Sequence, residues 1–225
     1  MKKEKLKIVY EDKHLVIIDK KPGVLTVGTD KDKEHTLFHE LLTFQKQKNK
    51  NNKIFIVHRL DRDTSGLVVF AKSERIKKIL QDTWDNVERK YIAVVNGLVI
   101  NKQGVIESYL METKTFYVYS TSNKIKGKYA KTNYSVIKQN KKYSLLDINI
   151  KTGRKNQIRV HLNDIGHSIV GDKKYGAKDN NPLGRLALYA YELNFIHPVS
   201  GKNMIIKMPV PNDFEKLVNK KVSNK

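Results

Sequence analysis

Apolar runs too short to be helices recur along this chain, and turn residues bound most of them. Leu6–Tyr10 and His14–Asp19 read as strands joined by Glu11-Asp12-Lys13. Lys20-Lys21-Pro22-Gly23 then reads as a turn, because proline fixes φ and glycine frees the next step. Thr36 is placed to cap a helix with Leu37, Phe38, Leu41, Leu42 and Phe44 on its apolar side. A basic, polar loop is expected at Lys46–Lys53. Ile54–Val57 and Leu67–Ala71 follow as two buried strands around a polar loop. Ser73 then caps a second helix carrying Ile76, Ile79, Leu80, Thr83 and Trp84 on one side. Arg89–Val95 is a further strand, ended by Asn96-Gly97.

From Gly104 to Ile150 the pattern is of short strands, Phe116–Tyr119 and Tyr143–Asp147 among them. Turns are expected at Ser122-Asn123, Lys126-Gly127 and Asn140-Lys141. Ile158, Leu162 and Ile165 then recur at helical spacing, with Gly166 as the stop. Gly171–Gly176 is a loop, Leu186–Phe195 and Asn203–Met208 are strands turned at His197–Gly201, and Pro209–Val218 is a short helix. Strands dominate and regular βαβ alternation is missing. The expected fold is α+β, a mixed and largely antiparallel sheet with flanking helices, in one domain over residues 1–225.

Charge changes this picture. The 225 residues carry 44 Lys and Arg against 23 Asp and Glu, a formal net charge of +21. Such an excess points to a polyanionic partner, most simply nucleic acid. The basic residues also cluster, at Lys46–Lys53, Lys124–Lys131 and Lys151–Arg159. There is no cysteine, which excludes disulfides, thiolate metal sites and a thiol nucleophile. No apolar window is long enough to span a membrane, and nothing at the N-terminus resembles a cleaved leader. A cytoplasmic protein is the expectation.

The stretch Ile54–Lys72 holds the candidate chemistry. Between its two apolar runs lie His58, Arg59, Asp61, Arg62, Asp63, Thr64, Ser65 and Gly66. Asp, Thr, Ser and Gly are turn formers, so a plain turn is one reading. The other is a site, because a link between core strands has little structural need for so many charges, and loops on rigid scaffolds carry chemistry. Downstream, Gln157, Arg159 and His161 fall on or beside the N-terminal half of a helix, which favours anions.

Taken in order, Lys21-Pro22-Gly23, His58-Arg59-Leu60-Asp61-x-x-Thr64-Ser65-Gly66, Arg89-Lys90-Tyr91, Gly153-Arg154 with Gln157-Ile158-Arg159-Val160-His161, Gly171-Asp172-x-x-Tyr175-Gly176 and Pro209-x-Pro211-x-Asp213-Phe214 resemble the RluA-type pseudouridine synthases. The match runs nearly the whole length, and the string around Asp61 is highly specific. The resemblance implies isomerisation of uridine to pseudouridine in structured RNA, with neither metal nor organic cofactor; ribosomal and transfer RNA both stay open as the substrate, and a monomer is the default expectation. It implies Asp61 as catalytic aspartate, Tyr91 against the flipped uracil, Arg159 paired with Asp61, and Arg59 filling the gap left in the RNA. His58, Arg62, Arg154, Lys155, Gln157 and His161 are the further RNA-binding candidates. Leu60 and Ile158 are candidates for the uracil pocket, and Thr64, Ser65 and Gly66 shape the loop. Lys155-Asn156 stands where the family commonly has Thr-His, and Tyr189 where His is usual. A minimal catalytic form without the family's S4 domain is expected.

Three rival readings use the same residues. Asp61-x-Asp63-Thr64 after an apolar strand also resembles the nucleophile motif of haloacid-dehalogenase-type phosphatases, with Gly171-Asp172 as a Mg²⁺ loop, but that enzyme needs a doubly wound parallel sheet. Asp63-Thr64-Ser65-Gly66 mimics one half of an aspartic protease. A non-catalytic RNA-binding or ribosome-assembly factor on the same fold would bind RNA without using Asp61.

Overall fold

The computed structural model describes residues 6–28, 34–176 and 181–220. In chain order its elements are β1 (Ile8–Glu11), β2 (Leu15–Lys20), α1 (Leu37–Lys48), β3 (Phe55–Ile56), β4 (Ser65–Ala71), α2 (Glu74–Asp82), β5 (Glu88–Asn96), β6 (Gln103–Glu112), β7 (Val118–Thr121), β8 (Lys128–Gln139), β9 (Tyr143–Ile150), α3 (Gln157–Asp164), β10 (Leu188–Ile196), β11 (Asn203–Lys207) and α4 (Asn212–Asn219). The chain divides into two compact units. The first is Met1–Val87 with Leu193–Ile206, and the second is Glu88–Glu192 with Lys207–Lys225.

In the first unit β2 pairs antiparallel with β1 and with β4, and β3 pairs antiparallel with β4. Every residue of β4 is buried, and Leu15–Ile18 of β2 are fully so. That is why these runs are continuously apolar rather than alternating: both faces are covered. Each such aliphatic side chain contributes roughly 1.5–3 kcal/mol by leaving water. The expected caps form. Thr36 Oγ1 accepts from His39 N at 3.1 Å and Ser73 Oγ from Ile76 N at 3.3 Å. The helix that Thr36 starts runs on to Lys48, so the first lysines of the expected basic loop are helical. The second helix ends at Asp82, and Trp84 lies beyond it in a 3-10 turn.

In the second unit the antiparallel pairs are β5–β9, β9–β8, β8–β6 and β6–β7. Ile92, Val94, Leu146, Ile148, Ile158, Leu162, Phe214 and Leu217 share one core. Gly166, at φ +81°, ends α3 as expected. The middle strands are longer than the sequence pattern suggests: β6 has 10 residues and β8 has 12. Phe116, read as the start of a strand, instead sits in the β6–β7 turn with φ +62°. The α+β class with a largely antiparallel sheet and flanking helices stands.

Candidate active site

Asp61 lies in the loop between β3 and β4, and its backbone is held from both flanks. On one side Thr26 grips Leu60 twice. Its hydroxyl donates to Leu60 O at 2.9 Å and accepts from Leu60 N at 3.2 Å. On the other side the Lys20–Gly23 turn grips Arg62. Gly23 N donates to Arg62 O at 3.0 Å, and Arg62 Nε donates back to Gly23 O at 3.1 Å. Gly23, at φ +82° after Pro22, gives the turn its shape.

Lys20 completes the clamp from inside. It is 1% exposed, and its ammonium donates to Arg62 O at 3.0 Å, Lys21 O at 3.0 Å and Val24 O at 2.8 Å. All three N–H donors are used, so the protonated form is the one that satisfies the site. Burial pulls its pKa down to about 8, against the opposing pull of Asp63 and Asp61. The β2–β4 register puts Lys20 opposite Gly66, whose φ of +115° only glycine adopts readily. Thr64 and Ser65 are buried beside it. The lysine sits one residue before the Lys21-Pro22-Gly23 string that the sequence singles out, and its role was not read from the sequence.

The remaining loop candidates divide by exposure. Arg59 and Arg62 are exposed, and Asp61 is half-buried. Leu60 is buried. His58 packs inside its own unit: its ring stacks on Trp84 with centroids 4.3 Å apart, and its Nε2 accepts from Val69 N at 3.0 Å.

In the second unit Tyr91 lies on β5, half-buried against the core. Arg89 shares its strand face, two residues earlier. It is 6% exposed, and two of its guanidinium nitrogens, Nε and Nη2, have no partner among the described residues. A buried cation with unmet donors is costly unless an acceptor arrives.

Arg159 is placed by α3, and its partner within the unit is Asp172. Arg159 Nε donates to Asp172 Oδ2 at 2.8 Å and Nη2 to Oδ1 at 2.7 Å, a bidentate buried pair. Asn156 accepts from Nη1 at 3.3 Å. Burial works against the Asp172 charge, but the Arg159 fork and the backbone N–H groups of Lys174 and Tyr175 outweigh it and hold the carboxyl below its ordinary value. The Arg159 guanidinium lies 5.2 Å from the centre of the Tyr175 ring, whose hydroxyl accepts from Asn156 Nδ2 at 3.2 Å. Asn156 precedes α3 at φ +54°, a left-handed conformation that asparagine tolerates. Asp172 entered the sequence reading only as part of a motif and as a rival metal ligand; here it orients the arginine.

Two RNA-binding assignments are corrected. His161 is 0% exposed, and both ring nitrogens are engaged, with Ser108 Oγ at 3.0 Å and Thr132 Oγ1 at 2.9 Å. Burial pulls its pKa down to about 4, so it is neutral at pH 7. Gln157 spends its amide on Thr152, Arg154 N, Lys131 O and Thr132. Both groups fasten α3 to the sheet and present nothing to a ligand. Ile158 is buried in the second unit's core. Arg154 and Lys155 are exposed, with Arg154 Nε donating to Tyr129 O at 3.0 Å.

Among the described residues no helix is long and apolar enough to cross a membrane.

Comparison with known proteins places these features in a family. The family model described as RNA pseudouridylate synthase matches residues 14–164. The chain is 36% identical over 228 residues to the ribosomal large subunit pseudouridine synthase D of Nitrosomonas europaea, covering 95% of this chain and 64% of that protein. It is 34% identical to the ribosomal large subunit pseudouridine synthase C of Buchnera aphidicola, covering 95% of this chain and 70% of that protein. Among solved structures, Human RNA Pseudouridylate Synthase Domain Containing 4 superposes with a TM-score of 0.77 at 22% identity, over 93% of this chain and 90% of that one. The family match overturns the phosphatase and protease readings of Asp61 and Asp63, and the chain belongs to the RNA pseudouridylate synthase family.

Proposed function

We propose that this chain isomerises uridine to pseudouridine in structured ribosomal or transfer RNA, with Asp61 as the catalytic carboxylate. The observation that carries the reading is the clamp around Asp61. Both neighbouring peptide units are fixed by Thr26, Gly23 and the buried Lys20, so the carboxylate is presented by a pinned backbone. Preorganisation of this kind is what a reacting group needs. Family membership and the +21 charge support the substrate class.

The reaction breaks the C1′–N1 bond, turns the uracil, joins C5 to C1′ and releases the C5 proton, while N1 takes up a proton, so that product and substrate are isomers. A carboxylate has two roles open to it here, nucleophile at C1′ or base at the neighbouring C2′ proton. Tyr91 supplies a flat wall for the turning uracil and a phenol to relay the C5 proton. Arg159, oriented by Asp172, supplies positive charge, with Asp61 its proposed counter-ion. The target base leaves its stack at a cost of a few kcal/mol, and Arg59 takes the vacated place. Arg62, Arg154 and Lys155 bind phosphates, and Arg89 receives an RNA oxygen on its unmet donors. The protein works as a cytoplasmic monomer, its 225 residues serving as one catalytic domain.

The test is tritium release from RNA labelled at uridine C5, with EDTA present, for wild type and Asp61→Asn. Release by wild type alone establishes the isomerisation and the aspartate's role. Equal RNA binding by both proteins with no release by either would leave the non-catalytic RNA-binding factor as the better reading.

A further inference from the structure

The turn between β6 and β7 carries a feature that the proposed chemistry does not use. Phe116 is 68% exposed at its tip, and its φ of +62° is one that bulky side chains rarely adopt. Among the described residues only Phe116 and Asn156 have positive φ without being glycine. The turn is tightly built rather than loose. Phe116 N donates to Thr113 O at 2.9 Å, Thr113 N to Tyr117 O at 2.8 Å, and Tyr117 N to Thr113 Oγ1 at 3.1 Å. Lys174 Nζ reaches across to donate to Phe116 O at 2.6 Å. A left-handed non-glycine residue persists only where its surroundings over-determine it, and such strain concentrates at functional sites. What the strain achieves here is to hold an aromatic ring out in water.

The surroundings of the ring define what it would meet. The Lys155 ammonium lies 5.0 Å from the centre of the Phe116 ring and pairs with Glu112. The Lys174 ammonium lies 5.6 Å from the Tyr117 ring and 5.7 Å from that of Tyr175. Tyr117 packs on Tyr175 with centroids 5.0 Å apart, and Tyr175 carries the Arg159 guanidinium. Lys114 and Lys173 are exposed in the same segments. A series of contacts therefore runs from the arginine of the candidate site through Tyr175 and Lys174 to the Phe116 carbonyl, and the exposed Phe116 ring itself meets the Lys155 ammonium.

An apolar ring framed by cations matches a nucleobase with its phosphates better than it matches an apolar protein surface. Bases stack on aromatic side chains while cations follow the backbone. We propose that the β6–β7 turn is an RNA-contacting surface, in which Phe116 stacks on an unpaired base near the reacting uridine and Lys155 and Lys174 take the adjoining phosphates. This rests on the RNA-modifying reading above and adds a contact that sets affinity.

Four full-length proteins test it: wild type, Phe116→Ala, Phe116→Gly and Phe116→Tyr. RNA affinity is read by anisotropy of a fluorescein-labelled RNA stem-loop, tritium release gives kcat and KM, and thermal melting gives stability. Loss of one stacked base should weaken affinity about 5- to 100-fold for the alanine and glycine variants, raising KM with little change in kcat. Tyrosine should restore binding. Glycine relieves the left-handed strain, so Phe116→Gly should melt above wild type while binding RNA worse, a pairing that a merely structural phenylalanine would not give. Wild-type affinity in the alanine and glycine variants would overturn the proposal, as would a fall in affinity that only tracks a fall in melting temperature. Concentration-dependent self-association lost in Phe116→Ala, with RNA binding intact, would assign the surface to a second copy and overturn it too. RNA binding by wild type without tritium release would sink the isomerase reading alone and leave the stacking contact standing.

Discussion

Asp172→Asn is the substitution from which most can be learned, because it changes one atom of a buried ion pair. The Asp172 carboxylate accepts four hydrogen bonds. Oδ1 takes Arg159 Nη2 at 2.7 Å, Lys174 N at 2.9 Å and Tyr175 N at 3.0 Å, while Oδ2 takes Arg159 Nε at 2.8 Å. In asparagine the remaining oxygen keeps the three-bond position, since both backbone N–H groups point there. The new amide nitrogen then faces Arg159 Nε, donor against donor, and the guanidinium loses its counter-charge. Removing one partner of a buried pair costs about 3–5 kcal/mol, and the retained bonds argue for the lower end. For a chain of this size about 3 kcal/mol lowers the melting temperature by roughly 6–12 °C. The effect has a pH signature. The folded pKa of Asp172 lies below its unfolded value, so its contribution is present above that unfolded value and is lost as pH falls through the folded one. The gap between wild type and variant should therefore close in acid. A second variant separates stability from function. Arg159→Met with Asp172→Asn removes both charges, keeps the oxygen that accepts Lys174 N and Tyr175 N, and should recover most of the lost stability, yet show no tritium release. An Asp172→Asn protein that melts with wild type would refute the energetic argument. Full turnover by the double variant would refute the role given to Arg159.

Other consequences follow from the same geometry. Lys20→Met strands three carbonyls and loosens the chain around Asp61, so kcat should fall at least tenfold with RNA affinity kept; unchanged kcat in tritium release would show that the clamp is dispensable. Arg89→Met removes a buried cation with unmet donors, so the melting temperature should hold or rise while KM for RNA rises roughly tenfold; a lower melting temperature with unchanged KM would make Arg89 structural. His161 has a folded pKa of about 4 against an unfolded 6.5, so the fold binds fewer protons between these values and loses about 3 kcal/mol as pH falls across them. His161→Gln should flatten that part of the acid stability curve measured in urea, and an unchanged curve would contradict the buried-neutral assignment. RNA affinity should fall with salt at a slope of about −0.7 to −0.9 per neutralised phosphate, and a flat response would remove the argument from charge.

Much of this molecule is legible in its sequence alone. The buried strands announce themselves as unbroken apolar runs, Thr36 and Ser73 mark where helices begin, and Gly166 marks where one ends. The loop of Asp61 stands out because charge is concentrated between two core strands. Phe116 misleads for a definable reason. Phe-Tyr-Val-Tyr has strong strand propensity, but that propensity reflects a side chain that fits a pleated surface. Thr113 and Lys174 override it through four hydrogen bonds, and the lysine comes from 58 residues away. Local preference carries no trace of such a partner.

The misreadings in α3 have a deeper cause. Gln157 and His161 are polar, close together and near a helix start, so their polarity alone suggests that they turn outward to an anion. Yet the first six residues of α3, from Gln157 to Leu162, are all buried. What decides the direction is the supply of partners: Thr132 on β8 and Ser108 on β6 meet His161, Thr132 and Lys131 meet Gln157, and Asp172 meets Arg159. Each partner lies 13 to 53 residues from the group it satisfies. A buried polar group without such a partner would destabilise the fold, and the sheet supplies hydroxyls where the helix brings donors and acceptors. Lys20 obeys the same rule from the other direction. Of two adjacent lysines, the one facing Gly66 across the β2–β4 register finds three carbonyls and goes inside. Polarity in the sequence thus says that a group must be satisfied, and only the register says by whom.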